Sequence, residues 1–272
     1  MKGSIFRWAA IIMAILSFGI AAFFAGKIYY TEKEYAERNA AYEEVVEQAV
    51  ISVPEVPGES PEPDGEAVSQ EVLVTQSEDE DIVPEIDFAA LKEINEEVVG
   101  WLYLPDTVIN YPVVQGDDNS YYLKHLVDGS YNSNGCLFVD HKNQSDFTDD
   151  NTLVYGHHMN SGKMFASLVE YKEQSFYDAH PVLYFLTEDA VYQIELFAGY
   201  TTTADSGAYM ISLSTREEKI DWLKEMFHSS DFYADVTVSA LDHIVTLSTC
   251  AYDFQDARYV VHGNLTLLEE GV

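Results

Sequence analysis

Basic residues and cysteines are scarce in this 272-residue chain. It has 14 Lys and Arg against 47 Asp and Glu, which gives a formal net charge of −33. So little positive charge argues against a protein that binds nucleic-acid backbones or attaches to an anionic membrane surface by charge. Two cysteines, Cys136 and Cys250, allow at most one internal disulfide. A fold held together by several disulfides is therefore excluded.

Several motifs that mark common enzyme classes are also missing. The chain contains no G-x-S-x-G, no H-E-x-x-H and no C-x-x-C. The nearest approach to a phosphate-binding loop, residues 156–163, has one residue too many, and Met164 stands where Ser or Thr is needed. A strand would direct the adjacent His157 and His158 to opposite faces. We therefore expect no metal site and no cofactor.

One long hydrophobic run lies near the amino terminus. Trp8–Gly26 is a stretch of 19 residues without a charge, and Lys2 and Arg7 precede it. As a helix it would extend about 28 Å, close to the thickness of the hydrocarbon core of a bilayer. The run predicts a transmembrane anchor with its amino terminus in the cytoplasm and the rest of the chain outside. A cleaved signal peptide is the alternative.

The excess of acidic residues begins directly after this run. Residues 31–90 contain 18 acids and 2 bases, so this segment alone contributes −16 to the net charge. Its first part, 31–50, is rich in Ala and Glu and favours a continuing helix. Five of the eight prolines fall within 51–85. We predict an acidic, proline-rich spacer over 31–85, of which residues 51–85 are disordered, between an anchor at 1–30 and a globular domain at 86–272.

The globular part alternates short apolar runs with turn residues. Asp87 is suited to cap a helix that Gly100 would end. Eight strands are predicted, rich in Val, Ile, Tyr and Phe. They cover Trp101–Leu104, Ile109–Val114, Cys136–His141, Thr152–His157, Pro181–Thr187, Ala190–Thr203, His243–Cys250 and Arg258–Leu268. The breaks are too short for regular strand–helix alternation, which favours a mostly antiparallel closed β-barrel with peripheral helices.

Three further helices are predicted between the strands, at Ser120–Leu126, Gly162–Tyr171 and Thr215–His228. The third has the clearest pattern, because Ser214 and Glu217 have the spacing of a capping box. Its predicted buried stripe consists of Ile220, Leu223, Met226 and Phe227.

A Cys–His–Arg set is the strongest candidate for chemistry. Cys250 and His157 each close a predicted strand, and strand ends meet at the rim of a barrel. Arg258 starts the strand after Cys250, where a cation would favour a thiolate and donate to an oxyanion. Such groups suit acyl transfer. By residue type alone, Cys250 could equally be a small core residue, and Arg258 could pair with Asp253 or Asp256.

The motif TLSTC at 246–250, followed by Arg258, resembles the signature of the sortases, membrane-anchored cysteine transpeptidases of Gram-positive bacteria. Segments 100–125, 135–143, 153–168 and 246–265 are similar to class B sortases in order and spacing. The resemblance covers nearly all of residues 86–272. It implies an eight-stranded sortase barrel.

The resemblance also implies roles for single residues. Cys250 matches the nucleophile, Arg258 the catalytic arginine, and His157, which directly follows a Tyr-Gly pair, the catalytic histidine. Ser248 matches a position that supports the substrate site in some members. Cys136 stands where the family often has Ser, so a small strand residue is expected rather than a second nucleophile. No residue is identified that orients His157.

The implied reaction is cleavage of the C-terminal sorting signal of a secreted protein through a thioacyl-enzyme. The protein is then transferred to an amine of a peptidoglycan precursor or cross-bridge, outside a cell membrane that the amino-terminal helix spans. No nucleic acid takes part. A pilus-assembly sortase and a non-catalytic, membrane-tethered binding module are the alternatives.

Overall fold

The computed structural model describes residues 2–52 and 83–270, so most of the predicted spacer lies outside the described residues. The chain divides into two compact units, residues 1–45 and 46–272. Helix α1 covers Lys2–Ala49, which confirms the helix predicted over 31–50. Within the described part of the chain, no helix has both the length and the apolar composition that crossing a membrane requires.

Two short strands and a helix precede the barrel. Strand β1 (Val50–Ser52) pairs antiparallel with β2 (Glu85–Ile86), and helix α2 (Phe88–Ile94) follows. Asp87 caps α2 as predicted, because its Oδ1 accepts a hydrogen bond from Ala90 N at 2.8 Å. The predicted end at Gly100 is wrong. Gly100 lies inside the next strand, where a Cβ would collide with the ring of Phe185.

Eight strands close into the predicted barrel. They are β3 (Val98–Tyr103), β4 (Asn110–Val114), β5 (Leu137–Val139), β6 (Asn151–Tyr155), β7 (Val182–Leu186), β8 (Ala190–Thr203), β9 (His243–Cys250) and β10 (Ala257–Glu270). Around the barrel the order is β10-β8-β7-β3-β4-β5-β6-β9. Six of the neighbouring pairs are antiparallel, while β4–β5 and β6–β9 are parallel. The parallel β6–β9 pair brings the carboxyl ends of two distant strands to one rim.

The helices around the barrel match the predictions less closely. Residues 120–126 form turns, and Phe165–Lys172 is a 3₁₀ helix, followed by α3 (Gln174–Ala179). Helix α4 (Arg216–Ser229) is confirmed, but Thr215 is its N-cap and accepts from Glu218 N at 3.1 Å. The predicted box of Ser214 and Glu217 is therefore displaced by one residue.

The buried stripe of α4 also differs from the prediction. Leu223 and Met226 are buried as expected, together with Lys219 and Trp222. Ile220 and Phe227 are 40% and 37% exposed. Trp222 packs against Phe197 and Ile244 of the barrel, and its indole donates to Gly207 O at 2.7 Å. The face of α4 that is buried is therefore rotated relative to the predicted one.

A histidine is fully buried under α4. His262 of β10 bonds Thr246 Oγ1 through Nδ1 at 2.8 Å, and aromatic rings of Phe197, Tyr200 and Trp222 surround it. Burial lowers the pKa of His262 from 6.5 to about 3. The imidazole is therefore neutral in the folded protein at any pH near neutrality.

This burial predicts a loss of stability in acid. Between pH 6.5 and pH 3 the unfolded chain binds a proton at His262 that the folded chain does not. The contribution of His262 to the free energy of unfolding is complete above pH 6.5 and falls as the pH drops, by about 2 kcal/mol between pH 7 and pH 5. The free energy of unfolding can be measured in urea at both pH values. Between them a His262→Phe variant should lose about 2 kcal/mol less of it than the parent. Equal losses in the two proteins would contradict the prediction.

Candidate active site

The predicted hairpin places Arg258 beside Cys250. Cys250 is the last residue of β9, Arg258 is the second of β10, and the two lie directly opposite each other in the antiparallel register. The connecting loop is closed by the hydrogen bond from Ala251 N to Ala257 O at 2.9 Å. Cys250 is partly exposed, and its thiol is free. The β9–β10 pair thus fixes a thiol and a guanidinium at one rim of the barrel.

The parallel β6–β9 pair brings His157 to the same rim. Tyr155, the last residue of β6, lies opposite Ser248. Beyond the strand, Gly156 N donates to Ser248 O at 3.1 Å, and Thr249 Oγ1 donates to Gly156 O at 2.9 Å. The chain therefore leaves β6 alongside the end of β9, and this carries His157 to the neighbourhood of Cys250.

All four predicted site residues line one groove of about 450 Å³. It is bounded by Asn119, Leu123, Phe138, Asp140, Lys142, Leu153, Tyr155, Gly156, His157, Ala204, Tyr209, Ile211, Ser248, Thr249, Cys250 and Arg258. Residues 93 positions apart in sequence thus share one surface, as the sequence predicts for strand ends at a rim. Cys136 lies outside this set.

A backbone carbonyl holds the ring of His157. Its Nε2 lies 2.9 Å from Leu123 O, so Nε2 carries the hydrogen and donates it. In the neutral ring Nδ1 is then the acceptor. The sequence could not identify this partner, because any residue type offers the same carbonyl.

The neighbouring histidine has a different environment. His158 Nδ1 lies 3.1 Å from Cys250 O, and its ring packs edge-on against Tyr252 at 5.2 Å between centroids. It contacts the backbone of the nucleophile candidate, whereas His157 lines the groove. The choice of His157 over His158 as the catalytic histidine, made from the Tyr-Gly pair, stays a prediction.

Arg258 bonds main-chain carbonyls of the loop rather than the carboxylates of Asp253 and Asp256 that were considered from sequence. Its Nη1 donates to Asp256 O at 3.1 Å and to Ala257 O at 3.0 Å. Asp253 pairs instead with Lys172 at 2.6 Å. The guanidinium is therefore oriented by main-chain carbonyls, and its charge is not cancelled by the Asp253 carboxylate that the sequence placed near it.

Tyr209 is a groove residue that sequence reasoning missed. Its hydroxyl lies 2.8 Å from Ser248 Oγ, and Ser248 is itself 2% exposed. Burial raises the pKa of Tyr209, and the nearby positive charge of Arg258 acts in the opposite direction. Ser248 thus bonds a groove tyrosine that no motif in the sequence marks.

Asp140 is a second residue that the sequence did not identify. This buried carboxylate accepts hydrogen bonds from Tyr155 OH at 2.9 Å and from Asn119 Nδ2 at 2.7 Å, both through Oδ2. Burial, followed by the charge of Asp140, raises the pKa of Tyr155. These three side chains form a polar wall of the groove, opposite in character to the apolar lining by Leu123 and Phe138.

Cys136 is a small buried residue, as predicted, but it lies directly before β5 rather than inside the predicted strand Cys136–His141. It is 1% exposed, immediately precedes β5, and is a free thiol. Burial raises its pKa well above the ordinary value. Because the thiolate is the reactive form, this cysteine is unsuited to nucleophilic chemistry.

The groove contains the groups that acyl transfer requires. A partly exposed thiol, an imidazole and a guanidinium line the same surface, and polar and apolar walls flank them. A nucleophile, a proton carrier and an oxyanion donor in one groove suit attack on a carbonyl carbon.

Comparison with known proteins finds close relatives. A family model described as a sortase domain matches residues 102–266, a range that includes His157, Cys250 and Arg258. The chain is 37% identical to sortase B of Listeria monocytogenes over 177 residues, 64% of this chain and 72% of that protein. A solved Staphylococcus aureus sortase B–substrate complex is 34% identical, with a TM-score of 0.64, and the match covers 67% of this chain and 85% of that one. Sortase B of Bacillus anthracis is 32% identical, with a TM-score of 0.68, and the match covers 87% and 99%.

Proposed function

The chain belongs to the class B sortases, a family of cysteine transpeptidases, and from this membership we propose that it attaches secreted proteins to the cell wall. The membership favours an enzyme over the non-catalytic binding module considered from sequence. The observation that carries the proposal is the common groove of His157, Cys250 and Arg258, with the cysteine and the arginine directly opposite each other on paired strands.

In the proposed first half-reaction, the Cys250 thiolate attacks a backbone carbonyl of the sorting signal. The guanidinium of Arg258 donates to the resulting oxyanion, whose charge develops only as the bond to sulfur forms. The imidazolium of His157 gives its proton to the departing amine as the peptide bond breaks. The products are a thioester on Cys250 and a released carboxyl-terminal fragment.

In the second half-reaction an amine attacks the thioester. The neutral imidazole of His157 takes a proton from that amine, a new amide bond forms, and the sulfur leaves as the Cys250 thiolate. We propose an amine of a peptidoglycan precursor or cross-bridge as the acceptor, as the family resemblance implies. The related S. aureus structure is described as a sortase B–substrate complex, and this supports our proposal that a substrate binds in the groove of this chain.

The function can be tested with the full chain in detergent micelles. A library of peptides with a randomised sorting pentapeptide should yield a thioacyl adduct on Cys250, detected by mass spectrometry. Adding a synthetic peptidoglycan stem peptide should convert the adduct into a new amide product. Transfer to a lysine-containing pilin-type peptide alone would favour the pilus-assembly alternative. Absence of any adduct across the library would contradict transpeptidation.

The two adjacent histidines offer a matched pair of variants. His157→Gln should reduce kcat by about 100- to 10,000-fold, because no other groove imidazole is positioned to protonate the leaving amine. His158→Gln should change kcat by less than about tenfold, since the His158 side chain bonds the backbone carbonyl of Cys250, packs against the ring of Tyr252 and does not line the groove. Fixed-time assays provide the rates, with the peptide from the library that forms the adduct (the library-selected peptide) as substrate. Equal losses in the two variants would contradict the assignment of His157.

We further propose that the Trp8–Gly26 run anchors the enzyme in the cell membrane, with the catalytic domain outside. No helix in the described part of the chain meets the requirements for a membrane span, so the support comes from the sequence alone. It is the length of the uncharged run and the basic residues Lys2 and Arg7 before it. Cell fractionation should recover the full chain with membranes and a chain lacking residues 1–30 in the soluble fraction. Recovery of both chains in one fraction would contradict the anchor.

A further inference from the structure

One wall of the groove is a segment with little regular structure of its own. Residues 207–213, here called the groove segment, connect β8 to α4 and contribute Tyr209 and Ile211 to the groove lining. The segment contains only one 3₁₀ turn, Gly207–Tyr209. A segment this irregular depends on bonds to other elements for a defined conformation.

Asn151 supplies three of those bonds. It is the first residue of β6 and is completely buried. Its Nδ2 donates to Ala208 O at 3.1 Å and to Met210 O at 2.9 Å, the carbonyls on either side of Tyr209. Its backbone N donates to Ile211 O at 3.1 Å. One residue therefore holds the main chain before, between and after the two groove-lining side chains.

A buried polar chain fixes the orientation of this amide. Thr246 Oγ1 donates to Asn151 Oδ1 at 2.7 Å. Because the hydroxyl has a single hydrogen, the 2.8 Å bond between Thr246 and His262 must use the Nδ1–H of His262 as donor. Oδ1 is thus held towards Thr246, and Nδ2 towards the groove segment.

Further contacts secure both ends of the segment. Trp222 of α4 donates to Gly207 O at 2.7 Å. Leu213 N donates to Asp150 Oδ2 at 2.8 Å, and the other oxygen of Asp150 accepts from the buried Lys219 at 2.7 Å. Of Asn151, Asp150 and Trp222, only Asn151 contacts the middle of the groove segment. Tyr209, which bonds Ser248, lies in this middle part.

We propose that Asn151 is a positioning residue for peptide binding, because its amide holds Tyr209 and Ile211 in place along the groove. This inference rests on the proposed function, since it concerns affinity for the sorting-signal peptide. Asn151 does not line the groove and acts through the main chain of the groove segment.

The test replaces the amide with an isosteric acid. Asn151→Asp keeps the acceptor for Thr246 but removes both donors to the groove segment. We expect KM for the library-selected peptide to rise about tenfold, with kcat within about threefold of the parent, in the full chain. Thr246→Val keeps both amide donors but frees the amide to rotate, and it also removes the acceptor of the His262 Nδ1–H. It should raise KM less and serves as a second variant if Asn151→Asp fails to fold.

A matched control is available on β4. Asn110 accepts from Trp101 Nε1 at 2.6 Å, lies outside the groove lining, and would undergo the same chemical change in Asn110→Asp. That variant should leave KM unchanged. If KM rose equally in both variants, the rise would be due to general destabilisation of the protein, and the proposal would be overturned.

Coupling to Tyr209 separates positioning from a merely structural role. In a background that carries both Tyr209→Ala and Ile211→Ala, Asn151→Asp should raise KM by less than about twofold, because both side chains that it positions are already absent. An effect of Asn151→Asp on KM as large in that background as in the parent would overturn the proposal.

Hydrogen exchange separates failure of this inference from failure of the proposed function. Amides of residues 207–213 should exchange at least about tenfold faster in Asn151→Asp than in the parent, without any peptide present. Unchanged exchange would show that Asn151 does not hold the segment. If the parent turned over no peptide, the proposed function and the effect on affinity would both fall, while the exchange rates would still decide whether Asn151 holds the segment.

Discussion

Replacing Cys250 with alanine should abolish formation of the thioacyl-enzyme and reduce turnover of the sorting-signal peptide by at least about a thousandfold. Cys250 is the thiol of the groove, placed opposite Arg258 and partly exposed. Without sulfur the reaction has no nucleophile, and the remaining groups can stabilise only slow attack by water. Mass spectrometry of the enzyme after incubation with peptide, together with steady-state rates, measures both effects.

The second cysteine provides the matched control. Cys136→Ala should retain kcat within about threefold, because Cys136 is buried next to β5 and lies outside the groove. Iodoacetamide should modify the parent and the Cys136→Ala protein once, at Cys250, and leave the Cys250→Ala protein unmodified. Turnover by Cys250→Ala at the rate of the parent would contradict the mechanism.

The barrel could be predicted because its strands carry their signal locally. In β8 the buried Ile194 and Leu196 alternate with the less buried Gln193 and Glu195, so the period of two is visible in the sequence itself. The bounds of β8 and β9 were predicted to the residue. The parallel pairing of β4 with β5 and of β6 with β9 could not be predicted, because strand order depends on contacts between segments far apart in sequence.

Helix predictions failed where tertiary contacts override local propensity. The segment at 120–126 has apolar residues at helical spacing, yet it forms turns in which Tyr121 stacks on His125 at 3.9 Å between centroids. The segment also presents Leu123 O to the ring of His157 and so contributes to the site.

The catalytic set could be proposed from sequence, but its surroundings could not. Recognisable motifs contain Cys250, His157 and Arg258, and a thiol, an imidazole and a guanidinium together indicate acyl transfer. Tyr209 and Asn151 carry no such mark, because their positions follow from how a loop packs against the start of β6. Any residue type can offer a main-chain contact, so the parts of the groove that such contacts hold in place cannot be identified from the sequence.

Arg258→Lys should lower kcat/KM by about 100- to 1,000-fold although the positive charge is kept. The guanidinium reaches the Asp256 and Ala257 carbonyls through one nitrogen, and its planar fork has further donors for an oxyanion beside Cys250. A lysine ammonium is a compact charge that cannot occupy both positions at once. Steady-state rates with the library-selected peptide measure the loss.

Arginine elsewhere on the surface allows the same change without a catalytic effect. Arg216 begins α4 and is exposed outside the groove, so Arg216→Lys should leave kcat/KM within about twofold of the parent. The rate of alkylation of Cys250 by iodoacetamide should stay within about threefold in Arg258→Lys, because a positive charge is kept opposite Cys250. A large fall in kcat/KM with unchanged alkylation would assign Arg258 to the oxyanion. A parallel fall in both rates would instead show that the guanidinium acts mainly by activating the thiol, and an unchanged kcat/KM would contradict any role in the reaction.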